Sequence, residues 1–161
     1  MKVTPPELIK SDHDLKEFDC GNATLNDWLK NKALKNQDKY SKTRVVCEGS
    51  NVIAYYTLLY GSVNREEMKG KYKNNAPERI PVMILGRLAV DVNWQGKGIA
   101  KHLLKEAMLK TLEAAEIAGV RGLLVHAIDD NAKSFYQHYG FIENSIELTL
   151  LLPIEDLKAQ I

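Results

Sequence analysis

The feature that most constrains this chain is a change of pattern between residues 81 and 100. Pro81-Val82-Met83-Ile84-Leu85-Gly86-Arg87-Leu88-Ala89-Val90-Asp91 reads as a strand too apolar to have a wet face, and so as a central one. It leads through Val92-Asn93-Trp94 into Gln95-Gly96-Lys97-Gly98-Ile99-Ala100. From Lys97 a helix opens, with Leu103, Leu104, Ala107, Met108, Thr111, Leu112 and Ala115 at helical spacing and Gly119 expected as its C-cap. Glycines let a backbone approach a ligand closely, and a helix start leaves N–H donors unpaired at the positive end of its dipole. Together these pieces make an anion site, most naturally for a pyrophosphate. A tight strand-to-helix connection without a ligand has the same pattern, because short glycine motifs match by chance. The spacing excludes two other cradles. There is no G-x-G-x-x-G with an acid about 20 residues on, as a dinucleotide site requires, and no G-x-x-x-x-G-K-[ST] of a P-loop.

The rest of the chain supplies elements of both kinds. Asn22 to Tyr40 predicts a helix, capped by Asn22 or Thr24, with Leu25, Trp28, Leu29 and Ala33 on one face. Residues 43–63 predict a β-hairpin turning at Glu48-Gly49-Ser50-Asn51. Residues 64–80 are polar, punctuated by Gly and Pro, and predict the longest loop. Gly122-Leu-Leu-Val-His-Ala-Ile128 predicts a buried strand, residues 131–139 a short helix, and residues 141–152 one final strand. The order implies a mixed α/β fold, and 161 residues imply a single domain over 1–161.

Charge is nearly balanced, with 22 Lys and Arg against 21 Asp and Glu. That argues against a uniformly basic nucleic-acid binder but not against a local basic patch. Such a patch exists: Lys30, Lys32, Lys35, Lys39, Lys42 and Arg44 stand against Asp38 alone, and acidic flanks cancel them. If the helix continued, Lys32, Lys35, Lys39 and Lys42 would form one stripe. A solvated face is the ordinary role of such a run. A phosphate backbone is the other, with Arg79 and Arg87 extending the surface. The N-terminus lacks the apolar run of a signal peptide, and no apolar stretch approaches the roughly 20 residues of a membrane span. Cys20 and Cys47 form no paired motif, so the expectation is a reducing cytoplasm. The four histidines show no metal-ligand spacing, and no metal is expected. His126, at a strand end, reads as a structural histidine or a proton relay.

Two motifs in order carry a resemblance. Gln95-Gly96-Lys97-Gly98-Ile99-Ala100 is followed about 30 residues on by Asn131, Ser134, Phe135, Tyr136, Gly140 and Phe141. With these the chain resembles the GNAT superfamily of acetyl-CoA-dependent N-acetyltransferases. The resemblance implies the α/β (α+β) acyl-CoA N-acyltransferase fold, a mixed central sheet flanked by helices. It implies acetyl-CoA as co-substrate: Leu88, Ala89 and Val90 pairing with the pantetheine arm, the amides of Gln95 to Ala100 on the pyrophosphate, and Asn131 beside the pantetheine. It also nominates Tyr136 as the general acid for the departing thiolate, since a phenol of ordinary pKa near 10 is protonated at neutral pH. Without the resemblance, Phe135, Tyr136, Tyr139 and Phe141 read as an aromatic core cluster. No general base stands out, and neither cysteine has the setting of an activated nucleophile, so direct transfer is expected.

Further segments narrow the resemblance to the GNAT-type toxins of bacterial toxin–antitoxin modules. They are Cys20-Gly-Asn-Ala-Thr-Leu-Asn-Asp-Trp-Leu29, Ala54-Tyr-Tyr-Thr-Leu58, Leu85-Gly-Arg-Leu-Ala-Val-Asp91 and Leu124-Val-His-Ala127. That implies acetylation of the α-amino group of aminoacyl-tRNA, a block of translation, a ribbon-helix-helix antitoxin and a homodimer. The amine of an aminoacyl ester is less basic than a lysine side chain, which fits the missing general base. Lys30, Lys32, Lys35, Lys39, Arg44, Arg79 and Arg87 are the residues expected to face tRNA. Two readings stand beside this one: acetylation of a protein N-terminus or small-molecule amine, and a non-catalytic acetyl-CoA-binding module of an antitoxin complex.

Overall fold

A computed structural model describes residues 2–161. Seven strands form one mixed sheet: β1 (Glu7–Leu8), β2 (Lys42–Glu48), β3 (Asn51–Asn64), β4 (Arg79–Val90), β5 (Gly122–His126), β6 (Ile142–Glu143) and β7 (Thr149–Pro153). Their order is β1-β2-β3-β4-β5-β7-β6. The β1–β2, β2–β3, β5–β7 and β6–β7 pairs are antiparallel, and β4–β5 is parallel. Parallel neighbours need a crossover, supplied here by α3 (Ile99–Ile117). The other helices are α1 (Ala23–Asn31), α2 (Ala33–Asn36), α4 (Asp130–His138) and α5 (Ile154–Leu157).

The chain forms two compact units, Met1–Leu59 with Gly86–Glu106, and Tyr60–Leu85 with Ala107–Ile161. The first packs Trp28, Leu29 and Ala33 of the α1–α2 segment against Val45, Cys47, Tyr55 and Ala89, with Phe18 and Ile9 beneath. The second packs Val63, Met68, Ile80 and Val82 against Leu124 and Leu151.

The predicted hairpin is present, turning at Gly49-Ser50, and β4 is the fourth of the seven strands, as its apolar sequence implies. Three expectations are corrected. The helix over 22–40 stops at Asn31, because Lys32 leaves helical geometry at φ −126°, and only the four-residue α2 follows. Beyond α2 the helix does not resume: Asn36 Nδ2 donates back to Lys32 O at 2.8 Å, and Asp38 sits at φ +68°. Asn22 is nonetheless the N-cap, its Oδ1 accepting from Leu25 N at 3.0 Å. The final strand over 141–152 is two strands, since Asn144 and Ser145 open a turn that closes with Leu148 at φ +61°. Gly119 is not a left-handed cap: α3 ends at Ile117, and the left-handed glycines lie elsewhere. The 64–80 segment is the expected long connection, from β3 to β4, with single 3-10 turns at Arg65–Glu67 and Gly70–Tyr72 and a buried Met68. Two short elements have too few residues to show periodicity, β1 and α5.

Candidate active site

In the first unit, Gly96 and Gly98 take φ of +79° and +83°, a region L side chains rarely occupy. A Cβ added at either would meet nothing within 4 Å, so the turn faces open space. The His102 N–H donates to Gly98 O at 3.1 Å. The amides of Ile99, Ala100 and Lys101 come before that bond, at the helix start, where no intrahelical acceptor exists. No acid lies in the first turn of α3, while Lys97 and Lys101 are exposed. Open space, free amides and local positive charge fit a pyrophosphate. The exposed Gln95 bonds back onto the protein instead, its Nε2 donating to Val90 O at 2.9 Å and Cys20 O at 3.1 Å.

The strand leading into this turn has an edge suited to an extended ligand. β4 pairs with β5 only from Met83 to Leu85, and runs on to Val90. Leu88, Ala89 and Val90 therefore have no β5 partner, which leaves backbone groups for a strand-like arm to bond. Arg87, just before them, lies 3.9 Å over the Trp28 ring, and Trp28 stacks at 12° on Tyr55. Burial pushes the Arg87 guanidinium below its ordinary pKa and pushes the Tyr55 phenol up. Tyr55 in turn donates to Leu25 O at 2.8 Å, so the stack is anchored in α1.

In the second unit, Asp129 caps α4 by accepting from Ala132 N at 2.8 Å, which places exposed Asn131 in the first turn and Tyr136 in the last. The Tyr136 ring meets Phe135 and Phe141 edge-on at 5.3 and 5.4 Å. Burial raises the phenol well above its ordinary pKa. It is protonated throughout the physiological range, which suits a proton donor and rules out a phenolate base. The aromatic-cluster reading and the catalytic nomination are thus compatible in one residue. His126 is exposed, its Nδ1 3.0 Å from Thr149 Oγ1.

The structure does not gather the sequence-nominated cations into one stripe. Lys30 closes α1, Lys32 sits at the break, Lys35 lies in α2 and Lys39 in the turn beyond, all exposed. Lys42 begins β2 and pairs with Asp38 at 3.3 Å. Arg44 is the register partner of Tyr56, while the adjacent Val45 and Tyr55 face the α1 core. Alternation therefore puts Arg44 and Arg87 on opposite faces of the sheet. Arg79, in the second unit, donates to Ser62 Oγ at 3.0 Å.

Sequence reasoning missed two polar groups of the first unit. Asp91 is a buried carboxylate at the end of β4, and Glu106 of α3 accepts from the buried Tyr56 hydroxyl. Burial first, then that carboxylate, hold the Tyr56 phenol protonated. Strand alternation alone would have turned Tyr56 away from α1, but nothing local pairs it with Glu106. Among the described residues no three His, Cys, Asp or Glu side chains are grouped to hold a metal.

The family model for the acetyltransferase (GNAT) domain matches residues 41–143. A tRNA-acetylating toxin of Mycobacterium tuberculosis is 37% identical over 158 residues, covering 97% of this chain and 95% of that protein. Among solved structures, AtaT complexed with acetyl-methionyl-tRNAfMet superposes with a TM-score of 0.90 at 30% identity, over 98% of both chains. A tyrosine-to-phenylalanine mutant of the AtaT toxin, bound to the C-terminus of the antitoxin AtaR and acetyl-CoA, gives 0.82 at 28% identity, over 99% and 97%. The chain belongs to the GNAT acetyltransferase family.

Proposed function

We propose that this protein transfers the acetyl group of acetyl-CoA to the α-amino group of aminoacyl-tRNA, and so acts as a translation-blocking toxin of the cytoplasm. The observation that carries this reading is the 37% identity to a tRNA-acetylating toxin over 97% of the chain. The open glycine turn and the free edge of β4 support it independently. Acetyl-CoA supplies an acetyl group activated as a thioester. Leu88, Ala89 and Val90 bond its pantetheine arm through the backbone, Asn131 lies beside that arm, and the amides from Gln95 to Ala100 hold the pyrophosphate. Tyr136 donates its hydroxyl proton to the sulfur as the C–S bond breaks and the C–N bond forms. The proton released from nitrogen leaves to water, and the phenol is restored from solvent, so protons balance. An aminoacyl ester amine is partly unprotonated at neutral pH and needs no dedicated base.

Lys30, Lys32, Lys35 and Lys39, exposed in one sequence neighbourhood, form the tRNA-facing surface, with Arg87 on the cofactor strand itself. Arg44 and Arg79 extend that surface. An antitoxin of the ribbon-helix-helix class and a second copy of the chain complete the assembly. No helix among the described residues is long and apolar enough to cross a membrane. Incubating the protein with charged tRNA and labelled acetyl-CoA tests the reading. Label on the aminoacyl moiety is expected. Label on protein N-termini or polyamines, with none on any tRNA species, overturns it.

A further inference from the structure

The anion-binding turn is tied to a segment far away in sequence, the entry to α1. Asp91, 7% exposed, accepts from Asp19 N through Oδ2 at 3.0 Å and from Asn93 N through Oδ1 at 2.9 Å. Val92 N donates back to Asp19 O at 2.8 Å. Gln95 Nε2 reaches the next carbonyl, Cys20 O, while its second bond goes to Val90 O. Both amide hydrogens of Gln95 are thereby engaged, and no donor remains on its side chain for a phosphate.

The entry segment is in turn fastened to α1. Asn26 bridges it, with Oδ1 accepting from Cys20 N and Nδ2 donating to Asp19 Oδ1, both at 2.9 Å. Asp19 Oδ1 also accepts from Gly21 N at 2.9 Å, and these bonds hold the carboxyl below its ordinary pKa. Gly21, at φ +88°, lets the chain pass Val92 closely, since a Cβ there would already be 3.6 Å from Val92 Cγ1.

We propose that Gln95 and Asp91 are positioning residues: they lock the pyrophosphate turn to the Asp19–Asn22 segment, and make the start of α1 a structural part of the cofactor site. The amides that face the phosphates follow Gln95 directly in sequence. Their aim is set by where Gln95 is held, and Gln95 is held by Cys20 and Val90. A side chain acting only as a phosphate ligand would need its donors free, and these are not.

The inference rests on the acetyl-CoA reading above, and the test separates the two. Binding of acetyl-CoA is measured by calorimetry with Gln95→Ala, Asn26→Ala, the double variant and Gln95→Arg, with thermal unfolding as a control for folding. If the wild-type chain binds no acetyl-CoA, the functional reading fails. If it binds, Gln95→Ala weakens binding by about tenfold, the worth of about one hydrogen bond. Asn26→Ala, remote from the phosphates, weakens it at least about threefold, and the double variant loses less than the product of the two because they act through one network. Gln95→Arg keeps N–H donors and retains most of the affinity. In steady state the losses fall on KM for acetyl-CoA, with kcat unchanged. An unaltered affinity in folded Asn26→Ala, or a loss in Gln95→Arg as large as in Gln95→Ala, overturns the proposal.

Discussion

Burial sets what the Tyr136 phenol can do. The ring sits between Phe135 and Phe141, and desolvation raises its pKa, so it carries a proton at every pH where the enzyme works. A raised pKa also makes it a reluctant acid toward a free thiolate, which favours transfer in step with C–S cleavage. Replacing Tyr136 by Phe removes the hydroxyl and keeps the ring packing. We expect kcat to fall about 10²–10⁴-fold, the usual worth of a placed general acid, with acetyl-CoA affinity and melting temperature little changed. Single-turnover kinetics alongside calorimetry would check this, and undiminished turnover removes the hydroxyl from the chemistry. At this scale the sequence was legible where chemistry is local. Gly96, Gly98 and the helix start lie within one short run, and the pattern of strand, glycine and helix exposes them. Asp91 was not legible, because its partner Asp19 is 72 residues away. Arg87 was named from the sequence, but its seat on Trp28 was not legible, because that depends on β4 lying against α1.

Among the elements, the α1–α2 segment is the instructive one. Composition saw a lysine-rich helix, and the apolar face through Trp28, Leu29 and Ala33 is present and buried. What composition could not weigh was the backbone itself, which leaves helical geometry at Lys32, φ −126°, and again at Asp38, φ +68°. The lysines therefore do not continue as one stripe at 100° per residue, and they present charge on a helix end, a break and a turn. A phosphate backbone tolerates that irregularity, because its charges are spaced along a flexible surface and are read without sequence. Reversing Lys30, Lys32 and Lys35 to Glu should weaken aminoacyl-tRNA binding and flatten its dependence on salt, by about one unit of log–log slope for each phosphate no longer neutralised. Acetyl-CoA affinity should hold. A salt slope identical to wild type would remove these lysines from the tRNA surface.

For the molecule as a whole, the distribution of tyrosines makes pH a probe of cooperativity. Tyr55 and Tyr56 lie at 0% exposure in one unit and Tyr136 at 9% in the other, and burial raises the pKa of all three. Tyr40 and Tyr60 are 75% and 68% exposed. A raised folded-state pKa means that the unfolded chain releases its phenolic protons first, from about pH 10 upward. Stability is thus unaffected by these groups below pH 10 and falls as pH rises above it, by about 1.4 kcal/mol per pH unit for each tyrosine. Three together give about 4 kcal/mol per unit, against an ordinary total of about 5–15 kcal/mol. The buried phenols should therefore ionise by unfolding rather than in place. Strands β3 and β4 each pass from one unit into the other, so neither unit keeps its strands if its neighbour's chain melts, and one transition is expected. Phenolate absorbance and far-ultraviolet circular dichroism, followed together, check this. Tyr55, Tyr56 and Tyr136 should ionise well above pH 10, in a single step in which the dichroism is lost. Ionisation of Tyr55, Tyr56 and Tyr136 near pH 10 in a folded chain would contradict the burial that keeps Tyr136 protonated, and with it the physical basis for its proposed role as proton donor.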